Sequence, residues 1–360
     1  MNKTLLGFLL FFVVNLHSQK SEKHWSDGPL TWDDFNEKEM DLGGSKPDYY
    51  INYKLDKTKT KNYSLRRIKA FSFINTKTSS FSNLSKSPQI LEYHQIEFDI
   101  LEFYRREFQR EIYLTNDFLD IKNKHKEIIQ KIGQTFSLFR MESNYGSNAR
   151  ELRSWKRKIS KQLEETEADP LPNVTFKNWG YGVFMGADYS SHSGSIANHT
   201  NNAIGLTLGF EANYRKHYFL FNMGILATKT TNELHLDTLL EKGKKMSFAQ
   251  LNFCYGYHLL DKSKFTITPF LGLGATQFSE NSKEEDKYMI NSFSTNFGMN
   301  FDYNFKRIIN LIPGGAIVKH QLNYFIRARI FLNTVNFDNQ FKGTQLNTGL
   351  IVGMYSKQIH

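Results

Sequence analysis

From about Trp179 to the C-terminus, apolar residues recur at every second position. Ile204, Leu206, Leu208, Phe210, Ala212 and Tyr214 share one face of a strand, and Gly205, Thr207, Gly209, Glu211, Asn213 and Arg215 share the other. The alternation returns in Phe219 to Ile225, in Leu251 to Tyr257, around Leu271, in Phe293 to Tyr303, in Leu322 to Ile330 and in Leu346 to Met354. A period of two is the mark of a β-strand with two unlike faces. With Tyr181 to Ala187 at the start, the pattern predicts about eight strands. Upstream the period changes. Gln89 to Glu167 is rich in Glu, Lys, Arg, Leu and Ile and holds no Pro, and predicts two or three helices broken near Asn144-Tyr145-Gly146. Gln19 to Ser87 is mixed, with short β-like runs at Tyr49 to Tyr53 and Ile68 to Ile74.

The interior of an eight-stranded barrel is only just filled by side chains. The face rich in Phe, Tyr and Leu is therefore expected outside, and the face of Gly, Ser, Thr and Asn inside. A barrel in water would expose Lys and Glu. None of the outward residues named above is charged, and a mid-membrane Arg or Lys costs ~2–4 kcal/mol. The outward face is thus expected to meet lipid. Arg215-Lys216-His217 and Asp261 to Lys264 are short turns, whereas Ser190 to Asn202, Thr231 to Lys245 and Glu280 to Lys287 are longer. Short turns belong to the periplasmic side of such barrels. That side is then expected to hold both barrel ends, the N-terminal domain and an aromatic girdle from Trp179 and Tyr181 to Tyr303 and Tyr324. Pro269 inside a strand predicts a bulge, and Lys306 to Lys319 is long for a periplasmic turn. This half resembles the small outer-membrane-protein β-barrel families, a resemblance of pattern that implies location more than activity.

Composition narrows the picture. Mean hydropathy is -0.50 while aromatic residues make up 15% of the chain. After the N-terminus no apolar run approaches the ~18 residues of a spanning helix. At the N-terminus, Lys3, the apolar run Leu5 to Val14 and the small Ser18 read as a secretory signal peptide over 1–18, with Gln19 as the first mature residue. The only cysteine is Cys254, so no internal disulfide forms. The formal charge of +10 comes from scattered lysines, which read as solvated surface with a weak attraction to anionic lipid. A nucleic-acid partner is not expected.

The expected organisation is a signal peptide at 1–18, an α+β periplasmic domain at 19–163, a linker at 164–175 and an all-β, about eight-stranded antiparallel transmembrane barrel at 176–360. Inside the barrel the charged candidates are Asp188, Glu211, Asp302, Arg327 and Arg329, expected to pair and plug the lumen. A conducting pore is not expected, because water-filled channels need about 16 strands.

One short segment carries chemistry: Leu91-Glu92-Tyr93-His94-Gln95-Ile96-Glu97-Phe98-Asp99-Ile100-Leu101-Glu102, expected to be helical. It resembles the helix of a family of secreted bacterial zinc peptidases known only as a domain of unknown function. That helix reads His-Glu-Gln-x-His-Phe-Asp-Ile, followed by a Glu and an Arg. Gln95, Phe98, Asp99, Ile100, Glu102 and Arg106 match. Leu30 to Phe35 is similar to the family's opening signature, and Glu142 to Gly146 followed by Trp155 is similar to its closing Glu-x-x-His-Gly and Trp. In a helical His-Glu-x-x-His two imidazoles one turn apart bind Zn²⁺ and the Glu activates water. Here those positions are Tyr93, His94 and Glu97, and the closing His is Tyr145. The resemblance thus implies a retained packing frame with lost ligands. No metal or other cofactor is expected, and the pair His94 and Glu97 reads as a surface pair.

These residues fit three functions. A non-catalytic outer-membrane protein, its degenerate peptidase-like domain binding a periplasmic protein partner, fits the lost ligands. A membrane-tethered metal-dependent hydrolase would use His94 and Glu97 in a new arrangement. A transport or adhesion barrel would work through its outer loops, which are modest and polar.

Overall fold

The computed structural model describes residues 21–37, 44–172, 174–281, 288–314 and 319–359. The expected signal peptide lies outside them, as does most of the Glu280 to Lys287 loop. The chain forms two compact units, one of 1–54 with 68–172 and one of 55–67 with 173–360.

The first unit combines short strands with three helices. β1 (Glu22–His24), β3 (Tyr49–Lys59) and β4 (Ser64–Asn75) lie side by side, with the far end of the β3–β4 hairpin, 55–67, counted in the second unit, and β2 (Asn36–Glu37) pairs with β5 (Ser80–Phe81). The runs expected at Tyr49 and Ile68 are thus the two arms of one longer hairpin. α1 (Pro88–Leu114) starts at Ser87, whose Oγ accepts from the Ile90 amide, with Pro at the first helical position where its missing N–H costs nothing. α2 (Phe118–Glu142) and α3 (Ala149–Glu164) start at Asp117 and Asn148, whose side chains accept in the same way. α1 is buried on both sides, because the inner face of β4 lies against it. Gln109 clamps that contact, its Oε1 accepting from the Ala70 amide at 2.8 Å and its Nε2 donating to the Ile68 carbonyl at 3.1 Å. The segment after α3 is held down as well: Arg106 donates to the carbonyls of Leu163 and Thr166, and Arg105 to that of Ala168.

The second unit is an eight-stranded antiparallel barrel. Its strands are β6 (Phe176–His192), β7 (Ala203–Tyr214), β8 (His217–Lys229), β9 (Lys245–Tyr257), β10 (Phe265–Glu280), β11 (Met289–Asn310), β12 (His320–Asp338) and β13 (Phe341–Ile359). Each pairs with the next, and β13 returns to β6 with Leu350 opposite Ala187, so no barrel edge is left open. Ser64–Arg66 adds a short parallel pairing to Ile308–Asn310 at the end of β11. Among the described residues, no helix is long and apolar enough to cross a membrane.

The apolar face points outward on every strand, as in Leu206, Phe210, Ile225, Phe253, Phe297 and Leu350, and the outward positions between the rims carry no charge. The interior departs from expectation. It holds Phe184, Tyr218, Phe270, Phe325, Phe331, Ile351 and Cys254 as well as small polar groups. They fit because glycines face them. A Cβ on Gly298 would lie 2.4 Å from the Phe331 Cβ and 2.8 Å from the Phe270 Cζ. Pro269 makes no bulge. It sits in unbroken register opposite Met299, and the ladder to β9 instead stops at Phe270, so the missing N–H falls where no partner is needed. β11 runs on to Asn310, so the first five residues of the long turn expected over Lys306 to Lys319 are strand.

Candidate functional site

Two polar groups stand out, one in each unit. In the barrel, alternation turns Glu211, Tyr218, Asp302, Arg327 and Arg329 inward, and register sets Asp302 opposite Arg327. The Arg327 guanidinium grips Asp302 with two bonds, 2.6 Å from Nε to Oδ1 and 2.9 Å from Nη2 to Oδ2. It also meets Glu211 Oε2 at 2.8 Å and donates to the Tyr218 hydroxyl at 3.0 Å. Tyr218 in turn donates to Glu211. The cation lies 4.5 Å from the centre of the Phe325 ring. Arg329 is placed differently. It donates to Asn300 Oδ1 and Asn222 Oδ1, both at 3.1 Å, and lies over Phe184. Asp188 is buried nearby, yet among the described residues neither it nor Arg329 enters an ion pair. The five charged candidates thus divide into one tight triad and a looser pair, Asp188 and Arg329, which act on each other by charge without direct contact while Thr207 bonds Asp188 and Asn300 and Asn222 hold Arg329.

The lumen is unlike at its two ends. At the end carrying the longer loops, a short helix α4 (Ser195–His199) contributes Ile196, which packs with Leu234, Leu240, Phe248, Phe278, Phe337 and Phe341 into an apolar stopper. Below it Gln345 Oε1 accepts from Gln250 and Asn333. At the opposite mouth a polar cavity of about 260 Å³ opens over Glu211, Asp302 and Arg327.

In the first unit the sequence motif is far from the surface. His94 and Glu97, expected as an exposed pair, are 2% and 1% exposed. The reason is that β3 and α2 cover that face of α1. The His94 Nδ1 and Glu97 Oε2 share a hydrogen bond of 3.0 Å. Tyr49 donates to the same oxygen at 3.0 Å, and Arg140 Nε donates to Oε1 at 2.8 Å. The other imidazole nitrogen meets the Ser45 hydroxyl. Burial works to raise Glu97, but the hydrogen bond and charge of His94 and Arg140 outweigh it and hold the carboxyl below its ordinary value. Burial and the Glu97 charge raise the Tyr49 and Tyr93 hydroxyls, so both stay protonated. Tyr93 stacks on Phe139 at 5.1 Å. Tyr145 is 69% exposed on the α2–α3 loop, where Asn144, Tyr145 and Gly146 all have positive φ. The backbone of that loop reaches the cluster: a Cβ on Gly146 would stand 3.1 Å from Tyr93. Among the described residues, no three His, Cys, Asp or Glu gather as metal ligands.

Trp25 and Gln95 both donate to Asp99 at 2.8 Å, Gln95 accepts from the Leu30 amide, and Trp155 donates to Glu142 at 2.7 Å. Sequence reasoning missed Tyr49, Arg140 and Tyr218. Tyr218 had a readable mark, a bulky ring at an inward position of its strand. Tyr49 and Arg140 had none, lying more than 40 residues from Glu97.

No family model matches the chain. No curated protein matches it either. Solved structures similar to it include Ail, the attachment invasion locus protein of Yersinia pestis, in complex with the heparin analogue sucrose octasulfate. It is 12% identical with a TM-score of 0.30, over 50% of this chain and 99% of that one. Neisserial surface protein A is 11% identical, with a TM-score of 0.31 over 50% and 97% of the two chains. The outer membrane protein OprG of Pseudomonas aeruginosa is 10% identical, with a TM-score of 0.26 over 51% and 97%. These scores are low, and the barrel stands on its own strand pairing.

Proposed function

We propose that the chain is a non-catalytic outer-membrane barrel protein whose N-terminal unit lies in the periplasm and binds a protein partner. The observation that carries the reading is the uncharged apolar face turned outward around a closed barrel. In water that surface would drive association, since soluble monomers rarely expose apolar patches beyond a few hundred Å². In lipid it is the stable arrangement. The stopper at the loop end fits a barrel that does not conduct. For the N-terminal unit, a peptidase-like frame without its ligands is supported by the packing of Asp99, Gln95 and Trp155. It is also supported by a Glu97 whose acceptor sites are filled by Tyr49, His94 and Arg140. With both His94 nitrogens engaged, the motif acts as a brace between α1, β3 and α2, and the outer surface of the unit is what remains for a partner.

The test is fractionation of cells producing the full chain, with a short epitope inserted at Ser193 and, separately, at Pro172. The protein is expected in the outer membrane, with the Ser193 epitope labelled on intact cells and the Pro172 epitope only after the membrane is opened. Recovery in the soluble fraction ends the membrane reading. Near-stoichiometric zinc in the purified full chain, lost on His94→Ala, ends the non-catalytic one.

A further inference from the structure

The cavity at the mouth away from the long loops has a charge pattern that the lumen triad does not use up. Its floor is Glu211, Asp302 and Arg327, which satisfy one another. Its rim carries Arg215, Arg307 and Lys357 against one carboxylate, Asp261. Among the described residues, none of those three cations is in an ion pair. Arg307 donates to neutral oxygens, Asn323 Oδ1 at 3.1 Å and the Ser263 carbonyl at 3.3 Å. Arg215 and Lys357 lie over the rings of Tyr214 and Tyr355. A low-dielectric mouth ringed by unmatched cations focuses potential and draws in anions.

In the wall the Tyr355 hydroxyl and Asn213 are within each other's reach and shut off from the cavity, so the acceptors beneath the cations are the carboxylates of the floor. At about 260 Å³ the space equals roughly nine waters at ~30 Å³ each, the scale of one monosaccharide and too small for a folded partner.

We propose that this mouth binds a small organic anion bearing hydroxyl groups, its carboxylate or phosphate held by Arg307 and Lys357 at the rim and its hydroxyls donated to the Glu211 and Asp302 carboxylates at the floor. Arginine and lysine at the rim set the charge, arginine by its forked geometry. Those carboxylates keep lone pairs beyond the ones that Arg327 and Tyr218 occupy, so they accept hydroxyl protons and reject a bare anion.

The experiment is calorimetric titration of the full chain in detergent micelles at low ionic strength, with D-glucuronate, D-glucose and inorganic phosphate as probes. Glucuronate is expected to bind at one site per chain, and glucose at least ~10-fold more weakly, one charge-assisted contact being worth that much. Arg307→Gln with Lys357→Gln should weaken glucuronate at least ~10-fold. The proposal is overturned if glucuronate does not bind, if glucose binds as tightly, or if phosphate matches glucuronate. Should the double variant fail to fold, the comparison of glucuronate with glucose on the native chain still decides.

Discussion

Replacing Arg327 by Met tests whether the lumen triad holds the barrel together. The guanidinium is 1% exposed and makes contacts of 2.6 and 2.9 Å to Asp302, 2.8 Å to Glu211 and 3.0 Å to Tyr218. Met preserves most of the volume against Phe325 and Phe184, so the loss is electrostatic. What remains is two carboxylates in a lumen with no cation on them, because Arg329 is tied to Asn300 and Asn222. Removing one partner from a buried ion pair costs ~3–5 kcal/mol, whereas replacing the whole group by neutral residues of similar volume is often nearly neutral. Arg327→Met should therefore lower unfolding free energy by ~3–5 kcal/mol. Adding Glu211→Gln and Asp302→Asn should restore most of it. The assay is urea unfolding and refolding of the full chain in micelles, followed by far-ultraviolet circular dichroism of the strand band. A loss under ~1 kcal/mol for the single variant, or a triple variant no more stable than the single, refutes the reasoning, since it would mean that the carboxylates find water or another cation.

Three further outcomes follow from particular residues. Gly298→Ala places a methyl against Phe331 and Phe270 and should cost ~1–3 kcal/mol or prevent barrel closure, read in the same unfolding assay. Glu97 is held below its ordinary value of 4.5, so its stabilising effect is present above that pH and is lost as pH falls through the lowered value. Tryptophan fluorescence from Trp25, Trp32 and Trp155 should record that loss of stability in acid. Glu97→Gln should remove this pH dependence, and an unchanged acid profile would show that Glu97 does not carry it. Tyr145 is exposed at φ +51°, a conformation that costs a non-glycine residue ~1–2 kcal/mol. Tyr145→Gly should stabilise by ~0.5–1 kcal/mol after glycine's entropy is set against the relief, and a fall in melting temperature would show that the ring has a packing role.

The strands were legible because one face of each meets a uniform surroundings. A strict period of two from Ile204 to Tyr214 states both the element and its outward side, and the same holds for most of the barrel. The filling of the interior was not legible. Inward positions are matched across strands, Gly298 beside Phe270 and Phe331, and such complementarity exists only once the register is known. Counting small residues on that face therefore hid its aromatic content. Pro269 read as a defect because its neighbouring ladder was assumed continuous. In the first unit the helix of Tyr93 to Glu102 was plain from composition. Burial of His94 and Glu97 was not, because the residues that cover and satisfy them, Tyr49 and Arg140, come from other elements. Tyr145 stood in the right place along the chain, but a left-handed backbone turns its side chain outward, and no spacing rule encodes that.

Cys254 lies on the inward face of β9, 2% exposed among Phe184, Leu220 and Phe270. It is the chain's only thiol. A maleimide cannot reach it while the barrel wall is shut, and reaches it freely in an open sheet. The molecule therefore carries its own closure clock: the rate of alkylation in micelles measures how often strands part, and the unlabelled fraction during refolding counts closed barrels as they form. Neither measurement needs an introduced probe.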